Sequence, residues 1–231
     1  MSFQVVRGEI DSKDATTRVV LPSPSRGSFP PFERVAETIA TPRRRFPPHR
    51  HQGVEVLTYV TEGSATYVFG PGTADSLVPG AARLLTAPTS VSHAINPHEG
   101  TTVRWLAVVA TLPDGTAAEP RLQSGLAHTS GVQPDGTVVR RVVGLGTGLI
   151  SAAGLECEAV EFQTNGTSFR RVGHDRVAVC YNLFGGGSVD NRTLEVGEAA
   201  LVENAGGVAL QGEPGFHIVL VSAPRAPAPK T

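Results

Sequence analysis

The sequence predicts an all-β protein, and three observations carry that expectation. Short Val-rich runs bounded by turn residues recur along the whole 231-residue chain, the pattern of many short strands. The chain holds 26 Gly and 18 Pro, which interrupt helices and set tight turns. Apolar residues at helical spacing are scarce, so no segment reads as a long amphipathic helix.

Length and charge narrow the function. A chain of 231 residues has ample core for one large domain or two small ones. The formal net charge is −1, which gives no electrostatic case for nucleic acid or an acidic membrane surface as partner. Cys157 and Cys180 are the only cysteines and read as reduced thiols. The N-terminus lacks the apolar core of a secretory signal, and no window reaches the apolar length of a membrane span. The expectation is a cytoplasmic protein whose partner is a small molecule.

Taken in order, residues 3–10 and 17–21 read as strands, followed by a Pro/Ser/Gly loop over 22–31 and an extended segment from Pro30. Arg43-Arg44-Arg45 reads as a solvated loop, with guidance of an anion toward a nearby site as the alternative. Residues 54–61 and 64–69 read as a β-hairpin around Glu62-Gly63, broken by Gly70-Pro71-Gly72. In it Tyr59, Tyr67 and Phe69 are core residues or, alternatively, pocket lining. A turn over 76–80 leads into a strand at 82–86, and residues 91–96 form a strand carrying His93. His98 reads as a loop residue. Residues 104–111 form a strand apolar enough for burial on both faces, with Trp105 pointing inward.

The segment 112–121 is the best linker, which places a boundary near residue 120 and gives units of 1–120 and 121–231. In the second unit, strands at 138–144, 157–163, 176–184, 192–195, 199–203, 207–211 and 215–222 repeat the rhythm of the first. Its histidines (His128, His174 and His217) are scattered. The tail over 223–231 is Pro/Ala-rich and expected to be disordered at its end.

The chemistry concentrates in Phe46-Pro-Pro-His49-Arg-His51-Gln-Gly-Val-Glu55-Val-Leu-Thr-Tyr59. Residues i and i+2 of a strand share a face, with Cα atoms roughly 6.5–7 Å apart. Two imidazoles at that spacing can reach one metal ion, each nitrogen about 2.0–2.1 Å from it. If the strand runs on unbroken, Glu55 returns to the same face as an oxygen ligand. His93 follows some forty residues later, after another turn. No nucleophile elbow of the Gly-x-Ser-x-Gly type is present, and the glycines at 144–148 lack the Lys-Ser/Thr of a phosphate loop.

These residues resemble a pirin-like bicupin of the cupin superfamily. His49-Arg-His51, Glu55 and Gly63 look like the first cupin motif, and Pro79-Gly80 through His93 to Asn96 looks like the second. Pro31-Phe32 and the stretch 48–59 are similar to pirin, although the second half matches only in strand rhythm. The resemblance implies two tandem cupin (jelly-roll-like) β-barrels with one divalent metal in the N-terminal barrel: iron first, then zinc, nickel or copper. Family members include iron-binding nuclear cofactors and enzymes that open flavonols such as quercetin with dioxygen. In pirins a glutamate two residues after the third histidine is the fourth ligand; here that position is Ile95.

Three outcomes follow from that departure. Glu55 supplies the carboxylate, either as ligand and general base or as a buried group that orients a ligand imidazole. Alternatively His49, His51 and His93 hold the ion with water, or the metal is gone and the barrel works as an organic pocket; the candidate substrate-binding residues are Tyr59, Tyr67 and Ile95. The functions implied are a quercetinase-like dioxygenase or a Lewis-acid isomerase or cyclase. A metal-independent cyclase of secondary metabolism and a non-enzymatic regulatory binding protein are the alternatives.

Overall fold

Twenty-two strands and no helix make up the regular structure in the computed structural model, which describes residues 2–225 except 12, 13, 26, 43, 45, 71 and 204. Arg43, Arg45, Pro71 and the tail beyond 225 therefore lie outside the described residues, as do the side chains of residues 11–16. The chain begins with β1 (Ser2–Arg7), β2 (Glu9–Asp11), β3 (Asp14–Leu21), β4 (Phe32–Ala40), β5 (Phe46–His51) and β6 (Val54–Glu62). It continues through β7 (Ala65–Phe69), β8 (Thr73–Leu77), β9 (Ala81–Ala87), β10 (Val91–Pro97), β11 (Val103–Thr111) and β12 (Arg121–Leu126).

The second half runs through β13 (His128–Val132), β14 (Thr137–Val143), β15 (Glu156–Phe162), β16 (Gly166–Arg171) and β17 (Arg176–Phe184). It ends with β18 (Gly187–Val189), β19 (Arg192–Leu194), β20 (Glu198–Glu203), β21 (Gly207–Gly212) and β22 (His217–Pro224). Both halves build the same two-layer unit. The first packs a seven-stranded sheet, ordered β12-β9-β6-β11-β4-β3-β2, on a four-stranded sheet, β5-β10-β7-β8. The second packs β1-β20-β17-β22-β15-β14-β13 on β16-β21-β18-β19. The architecture is all-β, two jelly-roll-like barrels in tandem.

The halves exchange strands. β1 pairs with β20, in register from Ser2↔Glu203 to Arg7↔Glu198, so the N-terminus completes the large sheet of the second half. β12 pairs with β9 of the first. The strands on either side of residue 120, β11 and β12, thus belong to one sheet, while β1 at the start of the chain belongs to the sheet of the second half.

Period-two alternation explains how one strand serves two cores. On β6, Val54, Val56 and Val60 face into the first barrel, while Leu57 and Tyr59 face the seam where the two seven-stranded sheets meet. There they join Val179, Tyr181, Leu201, Val219 and Val221 of the second half in one core. The inside of the second barrel is filled by Phe162, Val189, Leu194, Leu210, Phe216 and Ile218. Cys157 and Cys180 are buried and unbridged.

The expected hairpin around Glu62-Gly63 does not form. β6 pairs with β9 and β11, whereas β7 pairs with β8 and β10 in the opposite layer. Gly63 makes the crossing possible: its φ is +70°, and a Cβ there would lie 1.9 Å from the Thr102 carbonyl oxygen. The chain bends from layer to layer instead of folding back.

Candidate metal centre

β5 lies at the edge of the small sheet, where Pro47 and Pro48 can be tolerated because an edge strand need not donate on both sides. Its neighbour β10 pairs antiparallel with register His93↔His49 and Val91↔His51. This register sets the ring of His93 against both rings of β5. Ring centroids are 4.3 Å apart for His49 and His93, 5.0 Å for His51 and His93, and 4.9 Å for His49 and His51. Among the described residues these form the one group of three side chains able to share an ion, with ligand atoms all within 4.8 Å of one another.

The donor set fits a divalent metal. Nε2 of His51 and Nε2 of His93 lie 3.0 Å apart, close to the separation of two donors that sit about 2.1 Å from one ion at roughly a right angle. Nδ1–H of His49 donates to the Pro47 carbonyl at 3.3 Å, which fixes the tautomer and leaves Nε2 free to ligate. Two donors on one ion lie at most about 4.2 Å apart. The ring of His49 is the exposed one of the three. Burial, reinforced by the His49 charge, pushes His51 down to about 4. Burial and then His49 and His51 push His93 down to about 3. Both rings are therefore neutral at pH 7, the form that binds metal. Nδ1 of His93 is buried and has no hydrogen-bond partner.

The three rings open onto a cavity of about 370 Å³ between the two layers of the first barrel. Phe46, Val56, Ile95, Trp105, Ala107 and Val109 form its apolar wall, with Thr17, Thr38, Thr58 and Arg34 as polar contributors. Phe46 and Trp105 meet edge-to-face at 5.0 Å. Trp105 points inward as its alternation with Arg104 requires, and Ile95 faces the cavity beside His93.

Glu55 is not a ligand. Gly53, at φ +71°, separates β5 from β6, so the side-chain phase is reset between His51 and Glu55. The fully buried Glu55 carboxylate points to the seam. There it accepts hydrogen bonds from Thr86 Oγ1 at 2.8 Å, the amides of Ala152 and Ala153 at 3.0 and 3.2 Å, and Ser151 Oγ. A group so placed touches neither a ligand imidazole nor the cavity, which removes the general-base and ring-orienting roles as well.

The tyrosines also sit elsewhere. Tyr59 shares Glu55's face and lines a separate cavity of about 510 Å³ at the seam, with Arg140, Glu161, Phe184 and His217. Tyr67 lies behind His93, its ring stacked at 5.0 Å and 28°, in the barrel core and outside the cavity wall. His98 is bound by Thr66 Oγ1 at 3.0 Å and Ser64 Oγ at 3.1 Å, away from the centre.

Sequence reasoning missed Phe46, Val56, Thr58, Ala107 and Val109. The signal was available in part: 105, 107 and 109 keep the parity of Trp105 along β11. Val56 and Thr58 stay hidden because parity on β6 cannot be carried over from His51. His217 was also unplaced. It lies across from Glu161 on β15, and burial, with a further push from Arg140, lowers it to about 4.

Comparison with known proteins agrees with this geometry. Residues 23–107, which include all three histidines and Ile95, match the Pirin family model. That stretch is somewhat more than a third of the chain. A Pasteurella multocida protein provisionally named quercetin 2,3-dioxygenase is 32% identical over 111 residues. That match covers 47% of this chain and 47% of the Pasteurella protein, so it spans about half of each.

Solved structures match over nearly the whole chain. GK1651 of Geobacillus kaustophilus has a TM-score of 0.84 at 21% identity, covering 98% of this chain and 97% of that one. A quercetin 2,3-dioxygenase from Acinetobacter baumannii gives 0.80 at 17%, covering 97% and 79%. The pirin YhhW of Escherichia coli, crystallised with nickel(II), gives 0.80 at 13%, covering 97% and 100%. At these identities the likeness establishes the bicupin fold. In the centre described here Ile95 stands on the wall beside the histidines, a hydrocarbon where the resemblance to pirins implies a glutamate ligand.

Proposed function

We propose that the protein is a metal-dependent oxygenase of small, flat, largely apolar molecules that carry an acidic oxygen. Flavonols of the quercetin type are the first substrates to test. The observation that carries this reading is the convergence of His49, His51 and His93 at one end of an apolar cavity. Three protein ligands leave coordination positions open, the mark of a catalytic rather than a structural site. The quercetin dioxygenases among the similar proteins support the choice of chemistry. Iron is the ion proposed first; nickel, copper and zinc also suit imidazole ligands.

When bound, the ion would supply Lewis acidity and, for iron or copper, electron exchange with dioxygen. The chain supplies the rest. His49, His51 and His93 hold the ion. Phe46, Trp105, Ile95 and Val109 clasp the apolar body of the substrate and exclude water, and Thr58 offers a hydroxyl to its polar edge. The test is metal analysis together with oxygen uptake on quercetin, for wild type and His51→Ala. Wild type is expected to carry about one equivalent and the variant almost none, with uptake lost in parallel. Near-zero metal in both, even after incubation with iron(II) or nickel(II), overturns the reading.

The hydrocarbon walls favour one second reading, a metal-free pocket that holds a flexible unsaturated substrate in a reactive shape. It requires turnover that survives both chelation and His51→Ala.

A further inference from the structure

The seam cavity of about 510 Å³ shares no lining residue with the histidine cavity. Its walls come from both halves of the chain: Tyr59 of β6 on one side, and Arg140, Glu161, Phe184 and His217 of the second large sheet on the other. Strand register places both Glu161 and Phe184 across from His217. The Phe184 and His217 rings stack at 6.0 Å and 30°.

The charges of this wall are already matched. Arg140 and Glu161 pair at 2.7 Å, and the other oxygen of Glu161 accepts from Gln163 Nε2 at 2.9 Å. Glu62, more exposed, lies 3.8 Å from Arg104. A charged guest would shed its water without gaining a free counter-ion, so the cavity favours neutral molecules. Its hydrogen-bonding groups are not matched in the same way. Nε2 of His217 is buried without a partner, a state that costs about 1–3 kcal/mol unless something fills it. Burial holds that imidazole neutral and the Tyr59 phenol protonated, so each side chain can both donate and accept. A hydroxyl, which does the same, answers the two together. Pro79, Leu126 and Ala127 add hydrocarbon for the body of a guest.

We propose that the seam cavity is a second ligand site, built without metal, for small neutral hydroxyaromatic molecules whose hydroxyl reaches Tyr59 and His217 while the ring lies against Phe184 and Leu126. Such a guest touches strands of both halves, so its binding energy is added to the cohesion of the seam. The inference stands apart from the metal reading, because none of these residues borders the three histidines.

The test is calorimetric titration of metal-stripped full-length protein with 2-naphthol near pH 7, where the probe is neutral. Wild type is expected to bind it saturably, and Tyr59→Phe and His217→Leu to bind it at least about tenfold more weakly. The charged analogue 2-naphthoate is expected to bind wild type at least about tenfold more weakly than 2-naphthol does. His51→Ala, altered in the other cavity, is expected to bind 2-naphthol as wild type does. Tyr59→Phe keeps its ring in the seam, so it reports on the hydroxyl even if His217→Leu fails to fold. Absence of saturable binding by wild type overturns the inference, as does affinity unchanged in Tyr59→Phe. Equal affinity for 2-naphthoate overturns the selection of neutral guests, and binding lost in His51→Ala moves the guest to the first barrel and overturns the site.

Discussion

The carboxylate of Glu55 and the hydroxyl of Ser151, 96 residues apart in sequence, meet in a hydrogen bond across the seam between the two barrels. Ser151 Oγ also accepts from the Leu155 amide at 2.7 Å, which ties the 151–155 loop to the same point. Gln123 makes a parallel link, its side chain donating to the Ile150 carbonyl at 2.7 Å and accepting from the Ile150 amide at 3.0 Å. The seam is thus a latched interface, and the acid nearest the His-x-His pair in sequence is one of its latches.

Removing that latch should cost stability without removing metal. Glu55→Ala leaves the Ala152 and Ala153 amides, Thr86 and Ser151 without their shared acceptor in a buried setting. The expected loss is about 3 kcal/mol, read as a lowered denaturation midpoint. Nickel bound per folded molecule should stay at the wild-type level. A stable Glu55→Ala protein that binds no nickel would restore the ligand role that the geometry denies it.

Gly63 gives a test of the layer crossing. With φ at +70° and the Thr102 carbonyl 1.9 Å from the site of a Cβ, Gly63→Ala must strain the backbone and push the 102–103 segment away. The expected cost is about 2–4 kcal/mol. Gly72→Ala serves as the control: it shares the left-handed conformation but has open space around it, so it should cost only about 1 kcal/mol. Equal thermal shifts for the two variants would speak against the close approach at 63.

The pH dependence of stability follows from three buried imidazoles. In the folded chain His51, His93 and His217 lie at about 4, 3 and 4, below the ordinary 6.5. Burial is the main cause in each. The unfolded chain therefore binds more protons between pH 6.5 and these values, and stability rises with pH across that window. Metal-stripped protein should be fully stable above pH 6.5 and lose stability steadily as the pH falls toward 4. Urea midpoints at pH 7 and pH 5 check this, and the lower midpoint is expected at pH 5.

Trp105 makes cavity occupancy visible. It is the only tryptophan of the chain and lines the same cavity as the three histidines. Nickel(II) added to stripped protein should quench its emission in a saturable way, and His51→Ala should abolish the quenching. Emission that ignores nickel while calorimetry registers binding would place the ion elsewhere.

The all-β class and the histidine trio were legible because both rest on period-two alternation within single strands. His49 and His51 share β5, and the run before His93 announces β10. Glu55 and the supposed hairpin were misread for one physical reason. At Gly53 and Gly63 the chain takes a positive φ and passes between layers, so alternation on one side says nothing about the other. The pairings of β1 with β20 and of β12 with β9 were invisible because register between distant strands is fixed by tertiary packing, and no local pattern records it. Tyr59 was displaced by the same broken parity that displaced Glu55.

The strand exchanged at the N-terminus has a practical corollary for anyone dissecting the molecule. A genetic cut after residue 120 would release a front piece trailing Ser2–Arg7 with nothing to zip onto. The rear piece would carry the bare flank of Glu198–Glu203, an adhesive border that invites another copy to fill it. Expressing the portion with the three histidines by itself therefore calls for trimming the first seven residues and retaining Arg121–Leu126.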